Sequence, residues 1–161
     1  MNKKAFFLGI FFNIILSLSA ETVFVYIEKG DIMVNDYTKE NNLLWVNSIE
    51  NGIMDSFFEN GHIVFSGNSG KIEVKDFEKL NQLAKSGGAS IMIAATLNFS
   101  IKNENLNTSG EYRVYNLFTD DIIYKGNYSF DDVFRNNPTF IEDRLFSAGQ
   151  MLGNSVVKSI F

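Results

Sequence analysis

The sequence predicts an α/β fold in which helices pack on a single-layer mixed sheet of about five strands. Runs in which every second residue is apolar, the strand pattern, alternate with runs in which apolar residues recur every three or four positions, the helical pattern. The resulting order is β-α-β-α-β-β-β-α, which is typical of an α/β architecture. Residues 21–161 are long enough for one core, and with no internal repeat we expect them to form a single domain.

The first half of this order begins with a buried strand. Val23 to Ile27 is apolar on both faces, which predicts a central position in the sheet. Lys29 to Asn42 is hydrophilic and predicts a loop. A helix follows, and its apolar face consists of Val46, Ile49, Ile53 and Phe57. Asn60-Gly61 predicts a left-handed end to this helix, and a short strand from His62 to Ser66 comes next.

The middle of the chain predicts a second helix and the clearest strand. Val74 to Lys85 has helical spacing, and Gly87-Gly88 follows its end. The inner side of this helix is predicted to carry Phe77, Leu80, Leu83 and Ala84. From Ile91 to Ile101 every second residue is apolar, which predicts an amphipathic strand whose first half is apolar on both faces.

The last third predicts a hairpin and a terminal helix. Asn103 to Gly110 is a predicted polar turn, and strands Tyr112 to Phe118 and Ile122 to Phe130 form the hairpin. Asn137-Pro138 combines a capping residue with proline at the first helical position, so it predicts a helix start. The buried stripe of this helix is predicted to be Ile141, Leu145, Ala148, Leu152 and Val156.

The first twenty residues have the pattern of a secretory signal peptide. Lys3 and Lys4 precede an apolar run from Ala5 to Leu16, and Ser19-Ala20 closes the segment with small residues. The run is too short to span a membrane comfortably. Many Asn, Lys, Ile and Phe with one Pro are typical of an AT-rich bacterial genome. We therefore expect residues 1–20 to be removed and residues 21–161 to be periplasmic; an uncleaved anchor is the alternative.

Charge and cysteine content exclude several classes of function. Two of the 14 basic residues lie in the signal segment, so 12 remain against 19 acidic residues, a net charge of −7. Because the basic residues are scattered singly, nucleic acid is not an expected partner. The chain has no cysteine, which excludes disulfides, thiolate metal sites and a cysteine nucleophile. It also excludes lipid attachment, so the mature protein is expected to be unlipidated and without a membrane span.

The sequence contains no recognisable catalytic, cofactor or metal constellation. His62 is the only histidine and opens a strand directly after a helix-ending glycine, which favours a structural role over a catalytic or pH-sensing one. Asp120, Asp121, Asp131 and Asp132 bracket one strand, with the pairs roughly 30 Å apart by rise per residue. That separation favours turn formation and capping over a cation site. We predict neither enzyme activity nor a cofactor or metal.

The first helix carries the candidate partner-contact residues Glu50, Met54 and Phe58. Glu50 falls on the apolar side of the helix, where it either extends along the shoulder or is partly buried against a partner. Met54 and Phe58 widen the apolar arc beyond the usual stripe. Such an arc is either deep core or, where exposed, a contact site.

Three segments carry a resemblance to known proteins. The first is Ile49 to Val64, a long helix that turns at Asn60-Gly61 into a short strand. The second is Leu83 to Leu97, a helix followed by Gly-Gly-Ala and an apolar strand. The third is the hairpin from Tyr112 to Tyr128. Together with the element order, they are similar to bacterial envelope proteins that share an anticodon-binding-like α/β domain. Members include activators of penicillin-binding proteins, the curli secretion subunit and the N-terminal domain of the Tol translocation protein.

The resemblance implies a non-catalytic docking domain that regulates or assembles cell-envelope machinery, and it assigns no site residue. The expected partner is an envelope protein. Two alternatives stay open. One is a structural subunit that self-associates into a ring or secretion channel, and the other is a periplasmic carrier of a small ligand or cation.

Overall fold

A computed structural model describes residues 20–33, 39–67, 77–102, 105–130 and 141–161. The predicted signal segment, apart from Ala20, lies outside these residues. Five strands and three helices follow in the predicted order β-α-β-α-β-β-β-α, which confirms the fold class. The strands are β1 Thr22–Met33, β2 Ile63–Ser66, β3 Ile91–Lys102, β4 Asn105–Asn116 and β5 Asp121–Phe130. The helices are α1 Lys39–Glu59, α2 Phe77–Ser86 and α3 Ile141–Ile160.

The five strands form one mixed sheet in the order β2-β1-β3-β4-β5. β1 runs parallel to both of its neighbours, with Val23 opposite Val64 on β2 and opposite Ile91 on β3. β3, β4 and β5 are antiparallel to one another. The prediction that Val23 to Ile27 is a buried central strand is confirmed, since all five residues are fully buried.

The predicted loop from Lys29 to Asn42 is wrong at both ends. β1 continues to Met33, because Ile32 and Met33 pair with β3 after a register shift that accommodates the polar residues between Lys29 and Ile32. A bulge of this kind interrupts the alternation from which a strand is recognised in sequence. At the other end, α1 begins at Lys39 rather than after Asn42. Residues 34–38 lie outside the described part of the chain.

The predicted turn from Asn103 to Gly110 is also wrong for most of its length. β4 begins at Asn105 and pairs with β3 from the Lys102–Asn105 pair onward. Leu106 and Thr108 are fully buried, while Ser109 between Thr108 and Gly110 is exposed. Pairing with β3 along the whole segment, and with β5 from Thr108 onward, therefore outweighs the weak strand propensity of Asn, Ser and Gly.

Helices cover the sheet from both sides. α1 and α3 pack on one face, around β1, β3 and β4 side chains such as Val25, Ile93 and Val114. α2 packs on the other face, where Leu80 and Ala84 meet Phe24, Tyr26 and Met92. None of the helices in the described ranges combines the length and apolarity that a membrane span requires.

The predicted buried faces of α2 and α3 can be compared with the structure. In α2 the predicted inner residue Leu83 is 42% exposed, because the helix rests on the sheet along its Leu80–Ala84 line. In α3 the predicted stripe is confirmed, since Leu145, Ala148, Leu152 and Val156 are buried and Ile141 packs half-buried against them. Residues 74–76 and the predicted start at Asn137-Pro138 lie outside the described ranges.

Small residues bring α1 and α3 unusually close together. A Cβ atom on Gly149 would lie 2.2 Å from the carbonyl oxygen of Ile49, and one on Gly52 would lie 2.0 Å from that of Phe146. Ser56, fully buried, donates a hydrogen bond to the Gln150 carbonyl at 2.9 Å. This close contact fixes the helix layer above the β1–β3–β4 core.

The β4–β5 pair contains two reciprocal Tyr/Gly contacts. Gly110 on β4 lies opposite Tyr128, and Tyr112 on β4 lies opposite Gly126. A Cβ atom on Gly110 would lie 2.6 Å from the Tyr128 hydroxyl oxygen, and one on Gly126 would lie 2.7 Å from that of Tyr112. Each tyrosine therefore occupies the space above the facing glycine. Such aromatic cover compensates for the missing glycine side chain in a strand.

Candidate partner-binding surface

The turn between β4 and β5, Leu117 to Asp120, is closed by side-chain hydrogen bonds. The Asn116 side-chain oxygen accepts hydrogen bonds from the backbone N–H groups of Phe118, at 2.9 Å, and Thr119, at 3.3 Å. Asn favours this arrangement because its side chain can replace a backbone acceptor within a turn. Asp120 completes the turn with a φ of 60°, in the left-handed region that aspartate tolerates better than most residues.

The same turn is tied to the body of the domain at two places. Asp120 Oδ1 accepts hydrogen bonds from Lys85 Nζ at 2.7 Å and from Asn81 Nδ2 at 3.0 Å, both on α2. The Lys85 hydrogen bond, followed by that of Asn81, holds the pKa of Asp120 below its ordinary value. On the other side, the Leu117 N–H donates to the Ser90 carbonyl at 2.9 Å, and the Leu117 side chain is buried. The turn is therefore held in one conformation.

This fixed turn presents exposed apolar side chains. Phe118 is 82% exposed, the largest value among the exposed large hydrophobic residues of the described chain. Ile122 and Ile123, at the start of β5, are 50% and 45% exposed. We call these three residues the apolar tip. Burying a phenylalanine and two isoleucines against another protein would be favourable by several kcal/mol, on the order of 2 for each side chain.

A β-bulge lies inside the apolar tip. The β4–β5 register shifts so that Tyr115 pairs with Ile122 and Val114 with Tyr124, leaving Ile123 without an opposite residue. Bulges bend the strand and re-aim side chains at sheet edges. The tip is thus separate from the regular part of β5, which runs from Tyr124 to Phe130.

The three partner-contact residues predicted from the sequence lie elsewhere, on α1. Glu50 is only 5% exposed, so it does not extend along the shoulder of the helix. Met54 is half-buried and packs against the main core cluster. Phe58 is 71% exposed. α1 and α2 cover opposite faces of the sheet, and the apolar tip is tied to α2. The structure therefore does not bring the three α1 residues together with the apolar tip.

The sequence pattern predicts Phe118 at the end of a strand and therefore does not indicate the apolar tip. A partial signal is present, because Leu117-Phe118 is followed directly by the polar residues Thr119-Asp120-Asp121. An aromatic residue inside a turn sequence has no neighbouring strand position to bury it, so it is a candidate for contact with another molecule.

His62 lies in an aromatic cluster. Its ring stacks on that of Phe161 with centroids 4.2 Å apart and is 5.9 Å from the ring of Phe57. His62 Nδ1 is buried, and no atom of the described residues hydrogen-bonds to it. Burial lowers the pKa of His62, and the negative charge of Glu21 opposes this effect. The stacking is the structural role that the sequence favoured for this histidine.

A shallow cavity lined by both polar and apolar residues lies elsewhere on the domain. A cavity of about 200 Å³ lies beside α2 and is lined mainly by Glu28, Phe77, Thr96, Arg113 and Tyr115. Arg113 is engaged by Glu111 at 2.7 Å, and both side chains are about half exposed. Within the described ranges, no three His, Asp or Glu residues come together as metal ligands would. Asp120 lies in the turn and Asp121 begins β5, while Asp131 and Asp132 fall outside those ranges.

Comparison with known proteins places the fold. No protein-family model and no curated protein matches the sequence. Among solved structures, the PelC dodecamer from Paraburkholderia phytofirmans matches with a TM-score of 0.56 and 12% identity, over 88% of this chain and 89% of that chain.

Two further solved structures match with lower TM-scores. The LpoB C-terminal domain from Salmonella enterica has a TM-score of 0.48 and 8% identity, over 71% of this chain and 86% of that chain. TolB from Acinetobacter baumannii has a TM-score of 0.40 and 9% identity, over 88% of this chain and 28% of that chain. The chain is therefore similar in fold to PelC, and the LpoB C-terminal domain and TolB are among the other solved structures that it matches.

Proposed function

We propose that this protein is an exported, non-catalytic binding module that docks to a protein of the cell envelope through its apolar tip. The observation that carries the proposal is the exposure of Phe118 on a turn whose conformation is fixed on both sides. Export is supported by the signal-peptide pattern of residues 1–20. The similarity of the fold to PelC is consistent with this role and does not itself assign it.

The geometry of the tip favours recognition over a purely internal role. Phe118 contributes little to the core of its own domain, since about four fifths of its surface is exposed. Asn116, Asn81 and Lys85 nevertheless hold the turn that carries it. A turn whose backbone is fixed before binding loses little backbone conformational entropy when a partner buries the side chain that it carries. Aromatic residues in this situation are typical centres of binding energy in protein interfaces.

We expect the partner to offer an apolar pocket for Phe118 with flanking apolar contacts for Ile122 and Ile123. Asp120 is already engaged by Lys85, so the partner does not have to neutralise it. Asp121 remains exposed at the start of β5 and would favour a basic group on the rim of the pocket.

Site-specific photo-crosslinking in the native cell tests the proposal. A photoreactive phenylalanine analogue replaces Phe118 in the full chain, and a matched probe replaces Ser147, an exposed residue on α3. The proposal predicts crosslinks from position 118 to a different envelope protein and none to that protein from position 147. The absence of such a crosslink, or equal crosslinking from both positions, would contradict it.

A second candidate function is a structural subunit of a ring or channel. It is favoured by the similarity in fold to PelC, which was solved as a dodecamer, and by the presence of an edge strand at each end of the sheet, β2 and β5. Rings form when two different surfaces of identical subunits meet in a closing arrangement. Sedimentation of the exported protein at high concentration tests it: a discrete species above the dimer supports the ring, and its absence removes this candidate.

A further inference from the structure

The regular part of β5 is a sheet edge. In the described chain, β5 is hydrogen-bonded on one side, to β4, and lies at the end of the strand order. Between the bulge at Ile123 and the end of the strand it has seven regular residues, Tyr124 to Phe130. An edge of this length offers backbone donors and acceptors to another strand.

Asn127 is the central residue of these seven. If two copies of β5 pair antiparallel with Asn127 opposite Asn127, then Tyr124 lies opposite Phe130 and Lys125 opposite Ser129. Gly126 lies opposite Tyr128 in the same arrangement. Directly opposite residues share one face of a sheet, as in any antiparallel register whose two-fold axis passes through a residue.

Charge also favours this register. Lys125 is the only charged residue between Tyr124 and Phe130. A register centred on Lys125 would place two ammonium groups opposite each other, which is unfavourable. The register centred on Asn127 places each Lys125 opposite an uncharged serine and is the only two-fold register that uses all seven regular residues.

The space at the edge is compatible with the pairing. The Tyr128 hydroxyl donates a hydrogen bond to the Thr96 carbonyl on β3 at 2.9 Å, so this side chain leans over β4 and away from the edge. Gly126, opposite it in the pair, has no side chain of its own, and the Tyr112 ring of the same copy fills the space above it. The aromatic pairs Tyr124 and Phe130 lie at the two ends of the paired segment.

We propose that two copies of this chain pair through antiparallel β5 edges centred on Asn127, which joins their sheets into one of ten strands. The contact is isologous, meaning that the same surface is used by both copies, and it closes at the dimer. It does not rest on docking through the apolar tip, because it uses the part of β5 beyond the bulge.

Single cysteines test the position of the two-fold axis, because the chain contains no natural cysteine. Directly opposite residues in an antiparallel pair have Cα atoms about 5 Å apart, within the range of a disulfide. We expect N127C to form a disulfide-linked dimer under mild oxidation. The matched variant K125C places its cysteine on the same face of the strand. The two Cα atoms at position 125 of the dimer would be about 14 Å apart, so K125C should not form the disulfide. Equal or preferential crosslinking of K125C, or none of N127C, would overturn the proposal.

Charge substitution at Ser129, an exposed position, tests the register independently. S129E would place a carboxylate opposite each Lys125, so we expect dimer affinity to rise on the order of fivefold. S129K would place a second ammonium group there, so we expect dimer affinity to fall on the order of fivefold. Sedimentation velocity over a concentration series measures the dimer affinity of each variant and of the unmodified full chain. A wild-type protein that stays monomeric at every concentration, or two variants that change in the same direction, would contradict the pairing.

Discussion

Asp120 in the β4–β5 turn accepts a hydrogen bond from Lys85 at the end of α2, with 2.7 Å between Nζ and Oδ1. The contact joins two elements that are 35 residues apart in the chain, and both side chains are about half exposed. Because surface ion pairs contribute little to global stability, its main effect is local. It orients the turn that carries Phe118.

Asp120→Ala is therefore expected to loosen the turn and, because an alanine at a φ of 60° is strained, to lower the stability of the domain by about 1 kcal/mol. It removes the acceptor for Lys85 and Asn81. Amide hydrogen exchange at Phe118 and Thr119 should become faster, and the midpoint of urea unfolding should fall only modestly. Unchanged exchange at these two amides would show that Asn116 alone fixes the turn.

Acid should have the same local effect in the unmodified protein. The pKa of Asp120 is lowered in the folded state, so the stabilisation by this carboxylate is present above its unfolded value near 3.8 and is lost as the pH falls through the folded pKa. Exchange at the turn, corrected for its intrinsic pH dependence, should rise in this acidic range. The Asp120→Ala variant is the control and should show no such rise.

Gly149→Ala is expected to destabilise the domain strongly. The added Cβ would lie 2.2 Å from the Ile49 carbonyl, and that atom belongs to the backbone of α1, which cannot move aside cheaply. We expect the free energy of unfolding to fall by about 2 kcal/mol or more, despite the better helix propensity of alanine. Denaturant titration measures it. Ser147→Ala on the exposed face of α3 is the control and should change stability by less than about 0.5 kcal/mol.

Tyr128→Phe is expected to lower stability by about 1 kcal/mol, because it removes the hydrogen bond to the Thr96 carbonyl while the ring still covers Gly110. Burial raises the pKa of Tyr128. A raised pKa in the folded state means that this tyrosine stabilises the fold below its unfolded value near 10 and ceases to do so as the pH rises above it. Unfolding measured at alkaline pH should therefore show a steeper loss in the wild type than in the variant.

His62 should make the protein less stable in mild acid. Burial lowers its pKa below 6.5, so the unfolded state takes up a proton at a higher pH than the folded state does. The stabilisation is thus present above about pH 6.5 and falls as the pH drops through this value toward the folded pKa. Denaturant unfolding at pH 7.5 and pH 5 measures the difference. His62→Phe keeps a ring beside Phe161 and should reduce it, whereas an equal pH dependence in both proteins would assign the effect to other groups.

The fold could largely be predicted because hydrophobic periodicity reports burial directly. Ile91, Ile93, Ala95, Leu97 and Phe99 alternate in the sequence and are buried in β3. The failures occur where tertiary contacts override the local signal. Asn105 to Gly110 is mostly polar but pairs with β3 along its whole length and with β5 from Thr108 onward, with Tyr128 covering Gly110. The register shift between Lys29 and Ile32 hides the end of β1.

The candidate surface was harder to predict because exposure depends on neighbours that are distant in sequence. Phe118 has the sequence context of a strand end, and only the contacts of Asp120 with α2 show that the turn projects it outward. On α1, periodicity placed Glu50, Met54 and Phe58 on one stripe. It could not show that Glu50 is buried and Met54 packs against the core, whereas Phe58 is in solvent.

The most direct test of docking through the apolar tip compares the crosslinked partners of two variants in the native cell. Phe118→Ser and Phe58→Ser each remove one exposed ring, and both should fold like the wild type because neither ring is in the core. We predict that Phe118→Ser loses its envelope partner, whereas Phe58→Ser and the wild type retain it. Retention of the partner by Phe118→Ser, with or without loss in Phe58→Ser, would contradict docking through the apolar tip.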